Sequence, residues 1–227
     1  MINSGEEVMS ISLVHFYYDL KDWTWGSPYA PELEWQHSTA TKGLSGQRFL
    51  SEYAWVVLNS GFRESVARRL FPKISAAFLH WIAESINEQR DTVLQAAIKV
   101  FKNRKKIESI LEGCVLVSMR GTEWIEVAIN DGDFNALCQM PYIGPITCKH
   151  LAKNLGAHCC KHDRHLVRLA HELGFLSPDF MCEVISEKTG DPLGVVDYVL
   201  WRGAAFGHDA FAKLAHGQYV PNARFER

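Results

Sequence analysis

The chain has 227 residues, 47% of them apolar, with 24 Lys and Arg against 26 Asp and Glu and a formal net charge of −2. This composition excludes a disordered or fibrous protein and lacks the basic balance of an indiscriminate nucleic-acid binder. No run approaches the ~18 consecutive apolar residues of a membrane span, and residues 1–10 carry acids where a secretory leader needs a basic start, so a cytoplasmic protein that does not engage a membrane is expected.

Residues 11–36 are unusually aromatic, with Phe16, Tyr17, Tyr18, Trp23, Trp25, Tyr29 and Trp35, and Gly26, Pro28 and Pro31 interrupt any long element. An ordered loop wrapped on the core is expected here, with a trace of strand alternation at 11–17. Residues 1–44 are read as this aromatic segment and 45–227 as one helical domain. Such rings serve packing, and they also stack on extruded bases, which makes Trp23 and Trp25 pocket candidates.

Ser45 is placed to cap a helix to about 58, with Phe49, Tyr53, Val56 and Val57 as its apolar stripe, ending at Asn59-Ser60-Gly61. Helices at about 63–70 and 74–85 follow, separated by Pro72. Asp91 caps a helix to about 99, and Asn103 caps a longer one through 117 that repeats Ile107, Ile110, Leu111 and Val115. Gly121 and Gly132 punctuate two shorter helices. Near the end, Ser177-Pro178 and Asp191-Pro192 predict helices at 178–188 and 192–204. The reading is all-α.

Between these lies the most informative stretch. Leu137-Cys138-Gln139-Met140-Pro141-Tyr142-Ile143-Gly144-Pro145-Ile146-Thr147 reads as an apolar helix end, a tight turn, and a new helix opened by proline at its first position, closing near Leu155-Gly156. The first N–H groups of such a helix lack intrahelical partners and carry the positive end of its dipole, so a phosphate is welcome there. Tyr142, Gly144, Ile146 and Thr147 are the backbone candidates, with Lys149 and Lys153 one turn apart behind them. Asp163 then stands at the start of the next helix, where its side chain can accept N–H bonds from the following turn.

These residues resemble the helix-hairpin-helix DNA glycosylase superfamily. Met140 to Gly144 match its hairpin, Asp163-Arg164-His165 match its catalytic turn, and Asn103-Arg104-Lys105-Lys106-Ile107 resembles a helix of its 3-methyladenine glycosylase branch. The resemblance implies a two-lobed helical domain with the hairpin at about 134–156. It also implies double-stranded DNA containing a modified base as partner, no cofactor, a monomer, and Asp163 as the catalytic carboxylate with Arg164 near the DNA. The loop after the first helix of the domain resembles the segment that approaches the lesion, which offers Asn59 and Phe62 as hydrogen-bonding and stacking candidates; Asn59 is equally suited to a helix C-cap.

Two departures are visible. Tyr142 replaces the first hairpin glycine, a position that favours positive φ, so an altered or strained turn is expected. Ile146 stands where bifunctional members carry the Schiff-base lysine, so hydrolysis without strand cleavage through that lysine is expected.

Six cysteines (114, 138, 148, 159, 160 and 182) follow no framework spacing, and no disulfide is expected. His158, Cys159, Cys160, His162 and His165 are possible zinc ligands, but no second ligand pair at the usual separation is evident and no metal is expected. The iron–sulfur motif of some superfamily members is absent. A backbone-binding module without catalysis remains the alternative class.

Overall fold

The computed structural model describes residues 4–38 and 44–205, with side chains from residue 13 onward. Among the described residues it is helical throughout, with no strand. The chain divides into a terminal unit, residues 1–39 with 158–227, and a central unit, residues 40–157.

The aromatic N-terminal stretch is helical rather than looped. It forms α1 (Ser4–Trp25) and α2 (Ala30–Ser38), and the Gly26-Ser27-Pro28 signal falls between them. Leu13, Phe16, Tyr17 and Leu20 recur at three- and four-residue spacing and are all buried, which overturns both the loop and the strand trace. The other helices of this unit are α10 (Arg164–Glu172), α11 (Pro178–Thr189) and α12 (Leu193–Ala205). Helix α12 is its axis, packing on α1, α2, α10 and α11 with Val195, Val196, Tyr198, Val199 and Leu200 buried.

Buried charge in this unit is paired. Asp191 accepts from the Tyr17 hydroxyl at 2.6 Å and from Lys21 Nζ at 2.7 Å, and burial together with that hydrogen bond pushes the Tyr17 pKa upward. Arg202, also buried, donates to the Tyr198 hydroxyl and to Glu32 and lies 4.3 Å over the Tyr29 ring.

The central unit holds α3 (Gly46–Asn59), α4 (Glu64–Ala77), α5 (Ala83–Glu88), α6 (Arg90–Val100), α7 (Arg104–Arg120), α8 (Glu123–Asn130) and α9 (Pro145–Asn154), with short 3-10 turns at Leu79–Trp81 and Phe134–Gln139. Ser45 caps α3 and Asn103 caps α7, each side chain accepting from the third residue on. Pro72 lies inside α4 and does not split it. The helix ends at Ala77, and after Phe78 come Leu79, His80 and Trp81, three successive residues with positive φ, where Trp81 stacks on Phe78 and Phe71. Asp91 lies in the first turn of α6, and Gln89 takes the cap position.

Candidate active site

The central unit assembles the hairpin and the lesion-loop candidates around one buried ammonium. Lys106, 1% exposed, donates from Nζ to the carbonyls of Val57 (2.5 Å), Leu58 (3.1 Å) and Ser60. These carbonyls lie at the C-terminus of α3, where no further turn satisfies them. The same Nζ sits 4.8 Å from the Phe62 ring centre and 5.3 Å from that of Tyr142. Asn59 is the last residue of α3, with Ser60 as the C-cap, and its carbonyl accepts from the Phe62 N–H. Phe62 is 43% exposed and packs on Phe101 at 5.1 Å. Burial pushes the Lys106 pKa down to about 8.

The hairpin retains the backbone of a glycine-containing turn without the glycine. Tyr142 adopts φ 68°, a left-handed conformation that costs a non-glycine residue about 1–2 kcal/mol. The turn is strained rather than altered, and the ring that cannot relax lies over the Lys106 ammonium. Gly144 is extended, and its N–H donates to Thr147 Oγ1 at 2.7 Å, so Gly144 is withdrawn from the set of phosphate donors. Cys148 N–H makes the first intrahelical bond, to Gly144 O at 2.8 Å, which leaves the N–H groups of Ile146 and Thr147 ahead of it at the positive end of α9. Ile146 is exposed and Lys149 is partly exposed. Lys153 is only 6% exposed and so is not presented as the second surface cation. A 3.6-residue repeat brings positions four apart to neighbouring but not identical directions, and here one of them turns inward.

The terminal unit supplies the carboxylate. Asp163 caps α10, with Oδ1 accepting from the N–H groups of His165 (2.9 Å) and Leu166 (3.1 Å). Its other oxygen, Oδ2, lies 3.7 Å from Lys161 Nζ. One oxygen is thus fixed by backbone while the second faces an ammonium. Lys161 is in turn held by its own N–H, which donates to buried Asp197 at 2.6 Å, and by the Trp201 ring 5.7 Å from its Nζ. Trp201 was not a candidate from sequence, whereas Lys161 is legible there as one of the cations around the hairpin and the carboxylate, two residues before Asp163. Arg164 is exposed, and its Nε donates to His165 Nε2 at 3.4 Å. The His165 pKa is lowered by burial, which with Arg164, Arg168 and Lys161 outweighs the pull of Asp163.

Trp23 and Trp25 do not act as a pair. Two positions apart on α1 they point in nearly opposite directions; Trp23 packs near Tyr29 at 6.3 Å, and Trp25 stacks on His37 and is 43% exposed.

Two solved structures share this arrangement of helices. The chain is similar to the 8-oxoguanine glycosylase/lyase of Methanocaldococcus jannaschii in complex with a 15mer DNA containing 8-oxoguanine, at a TM-score of 0.55 and 16% identity over 83% of this chain and 96% of that one. It is similar also to the 8-oxoguanine DNA glycosylase of Thermotoga maritima, at a TM-score of 0.57 and 17% identity over 83% of this chain and 95% of that one. The all-helical fold is the one these two DNA glycosylases have. No protein-family model and no curated protein sequence matches the chain.

Replacing Lys106 by Met is expected to destabilise the protein by about 2–4 kcal/mol, because three carbonyls lose their donor inside the unit. Lys106→Arg is expected to rescue little, since a planar guanidinium does not converge on three carbonyls as an ammonium does. Urea denaturation midpoints at constant slope measure both effects.

Proposed function

We propose that the protein is a monofunctional DNA glycosylase that hydrolyses the N-glycosidic bond of a flipped, modified base in double-stranded DNA and leaves an abasic site. The observation that carries this reading is Asp163: a carboxylate with one oxygen fixed by two backbone N–H groups and the other beside Lys161, in a chain that has the glycosylase fold and its hairpin. As the bond to the base lengthens, positive charge develops on the sugar ring. A fixed carboxylate stabilises that charge without reorganising, and it orients or activates the attacking water.

The hairpin would hold a phosphate next to the target nucleotide through the N–H groups of Ile146 and Thr147, with Lys149 adding charge. Phe62, exposed on the same ammonium-centred group as Tyr142, is the side chain suited to fill or stack within the opened duplex. The reaction calls for no redox or nucleotide cofactor. A monomer working in the cytoplasm fits this role.

For the substrate, several rings between positions 16 and 35 are taken up by packing, Tyr17 on Asp191 and Tyr29 under Arg202, while Trp25, 43% exposed, is left to favour a roomy, aromatic pocket over the tight slot that suits a methylpurine. We place a bulky modified cytosine of the phage type, such as glucosylated hydroxymethylcytosine, ahead of an alkylated purine, which makes the protein a candidate for antiviral defence. Incubation with DNAs carrying glucosylated hydroxymethylcytosine, 3-methyladenine or 8-oxoguanine, with released bases weighed by mass spectrometry, decides among these. Binding without release from any of them would point instead to a backbone-binding module.

Asp163→Asn keeps the shape and the cap but removes the charge, and is expected to cost about 3–4 kcal/mol of transition-state stabilisation while DNA binding persists. Single-turnover base release set against a gel-shift titration tests this, and wild-type turnover in the variant would remove Asp163 from the mechanism.

With Ile146 in place of a Schiff-base lysine, borohydride is expected to trap no protein–DNA adduct. Lys161 is an amine beside Asp163, so an adduct that disappears in Lys161→Ala would overturn the monofunctional reading.

Lys149→Ala is expected to weaken binding equally on all sequences and to reduce the slope of log affinity against log salt by about 1. Lys153→Ala should leave that slope unchanged and lower the melting temperature instead. Fluorescence anisotropy over a salt series distinguishes the two.

A further inference from the structure

The segment immediately before Asp163 carries a set of side chains that neither the catalytic reading nor the phosphate grip uses. Cys160 and His162 lie two apart on non-helical chain, which allows both side chains to point to one side. Seventeen positions beyond His162, Asp179 occupies the first turn of α11. The three converge: Cys160 Sγ lies 3.0 Å from Asp179 Oδ1, His162 Nε2 lies 2.5 Å from Asp179 Oδ2, and the three ligating atoms all fall within 4.8 Å of one another. Cys182 follows three residues after Asp179 on the same face of α11 and is buried in the same cluster as Cys160. Read together, the pattern is Cys-x-His followed by Asp-x-x-Cys, two short ligand pairs on separate segments of one unit.

We propose that Cys160, His162 and Asp179 bind a zinc ion, with Cys182 as the fourth ligand. A thiolate, an imidazole and a carboxylate together suit a borderline-soft, tetrahedral cation, and the donor atoms already lie close to the separations that ligands about 2.0–2.3 Å from a shared ion require. Access is built in: Cys160 is buried, while the His162 and Asp179 side chains are 34% and 32% exposed, so the site opens to solvent on the imidazole and carboxylate side. Binding replaces the hydrogen bonds now linking the three side chains; the thiol proton leaves to solvent, and the proton that His162 Nε2 shares with Asp179 leaves to solvent or is replaced by one on Nδ1, so that the Nε2 lone pair is free for the ion.

The consequence is positional. His162 is the residue before Asp163, so an ion joining it to α11 fixes the backbone from which the α10 cap starts. The ion contributes no step to base release.

The test uses the full-length protein. After growth in zinc-supplemented medium, about one zinc per chain is expected by metal analysis. Replacement by cobalt should give the visible bands of a tetrahedral site and a thiolate charge-transfer band. Cys160→Ser, His162→Gln and the near-isosteric Asp179→Asn are each expected to weaken binding more than about tenfold, whereas Cys159→Ser, the neighbouring thiol, should leave the cobalt spectrum unchanged. Zinc should also raise the melting temperature of the wild type but not of Asp179→Asn. Absence of stoichiometric zinc and of a thiolate–cobalt band in the wild type would overturn the proposal, as would a spectrum that survives in the Cys160→Ser, His162→Gln double variant or is lost in Cys159→Ser. Because the readout is metal content and spectrum, its failure leaves the glycosylase reading to its own assays.

Discussion

The central unit depends on an ammonium group placed where an α-helix runs out of donors. The carbonyls of Val57, Leu58 and Ser60 end α3 without intrahelical partners, and the negative end of the helix dipole adds to them. Lys106 enters from α7, meets all three, and presents its remaining surface to the rings of Phe62 and Tyr142. Desolvating a lysine opposes this arrangement, as its lowered pKa records, and three acceptors with two aromatic faces offset it. The loop after α3 and the turn before α9 are therefore both referenced to one atom. A strained Tyr142 is tolerated in that setting, because the surrounding group over-determines its position.

What could be read from sequence follows how local the determining interaction is. Caps at Ser45, Asn103, Asp163 and Ser177 involve a side chain and an N–H two or three residues away, and each is in place. The helices near the C-terminus, announced by cap-plus-proline pairs, were legible for the same reason. Where the outcome rests on distant packing, sequence was silent or misleading. Gly26 and Pro28 mark a boundary between two helices, not a long loop, because buried Phe16, Tyr17 and Leu20 give α1 a face that α11 and α12 cover. Lys153 looked like a partner for Lys149, yet its burial is a tertiary fact. Asp179 escaped notice as a possible ligand because its neighbours in space lie on another segment.

The terminal unit handles charge differently from the central one. Asp191, Asp197 and Arg202 are all buried in it, and each is engaged by hydrogen bonds that hold a distant element: Asp191 joins α1, Asp197 holds the chain at Lys161, and Arg202 reaches Glu32 on α2. Through Asp197, the helix at the unit's axis sets the segment from which Asp163 projects. Removing one partner from such a pair leaves an uncompensated charge, so these positions bear on the packing of the unit, and Asp197 also on the segment before Asp163.

The way the chain threads the two units fixes an order of completion. The central unit is one uninterrupted stretch, whereas the terminal unit joins both ends of the chain, and Tyr17 meets Asp191 across 174 positions. Short loops close at smaller entropic cost than long ones, so on a ribosome the hairpin and its ammonium anchor have all their residues well before α12 emerges to receive α1 and to hold Lys161. During synthesis, and in any product truncated before α12, the group around Lys106 has all its residues while Asp163 still lacks the helix that holds Lys161 beside it.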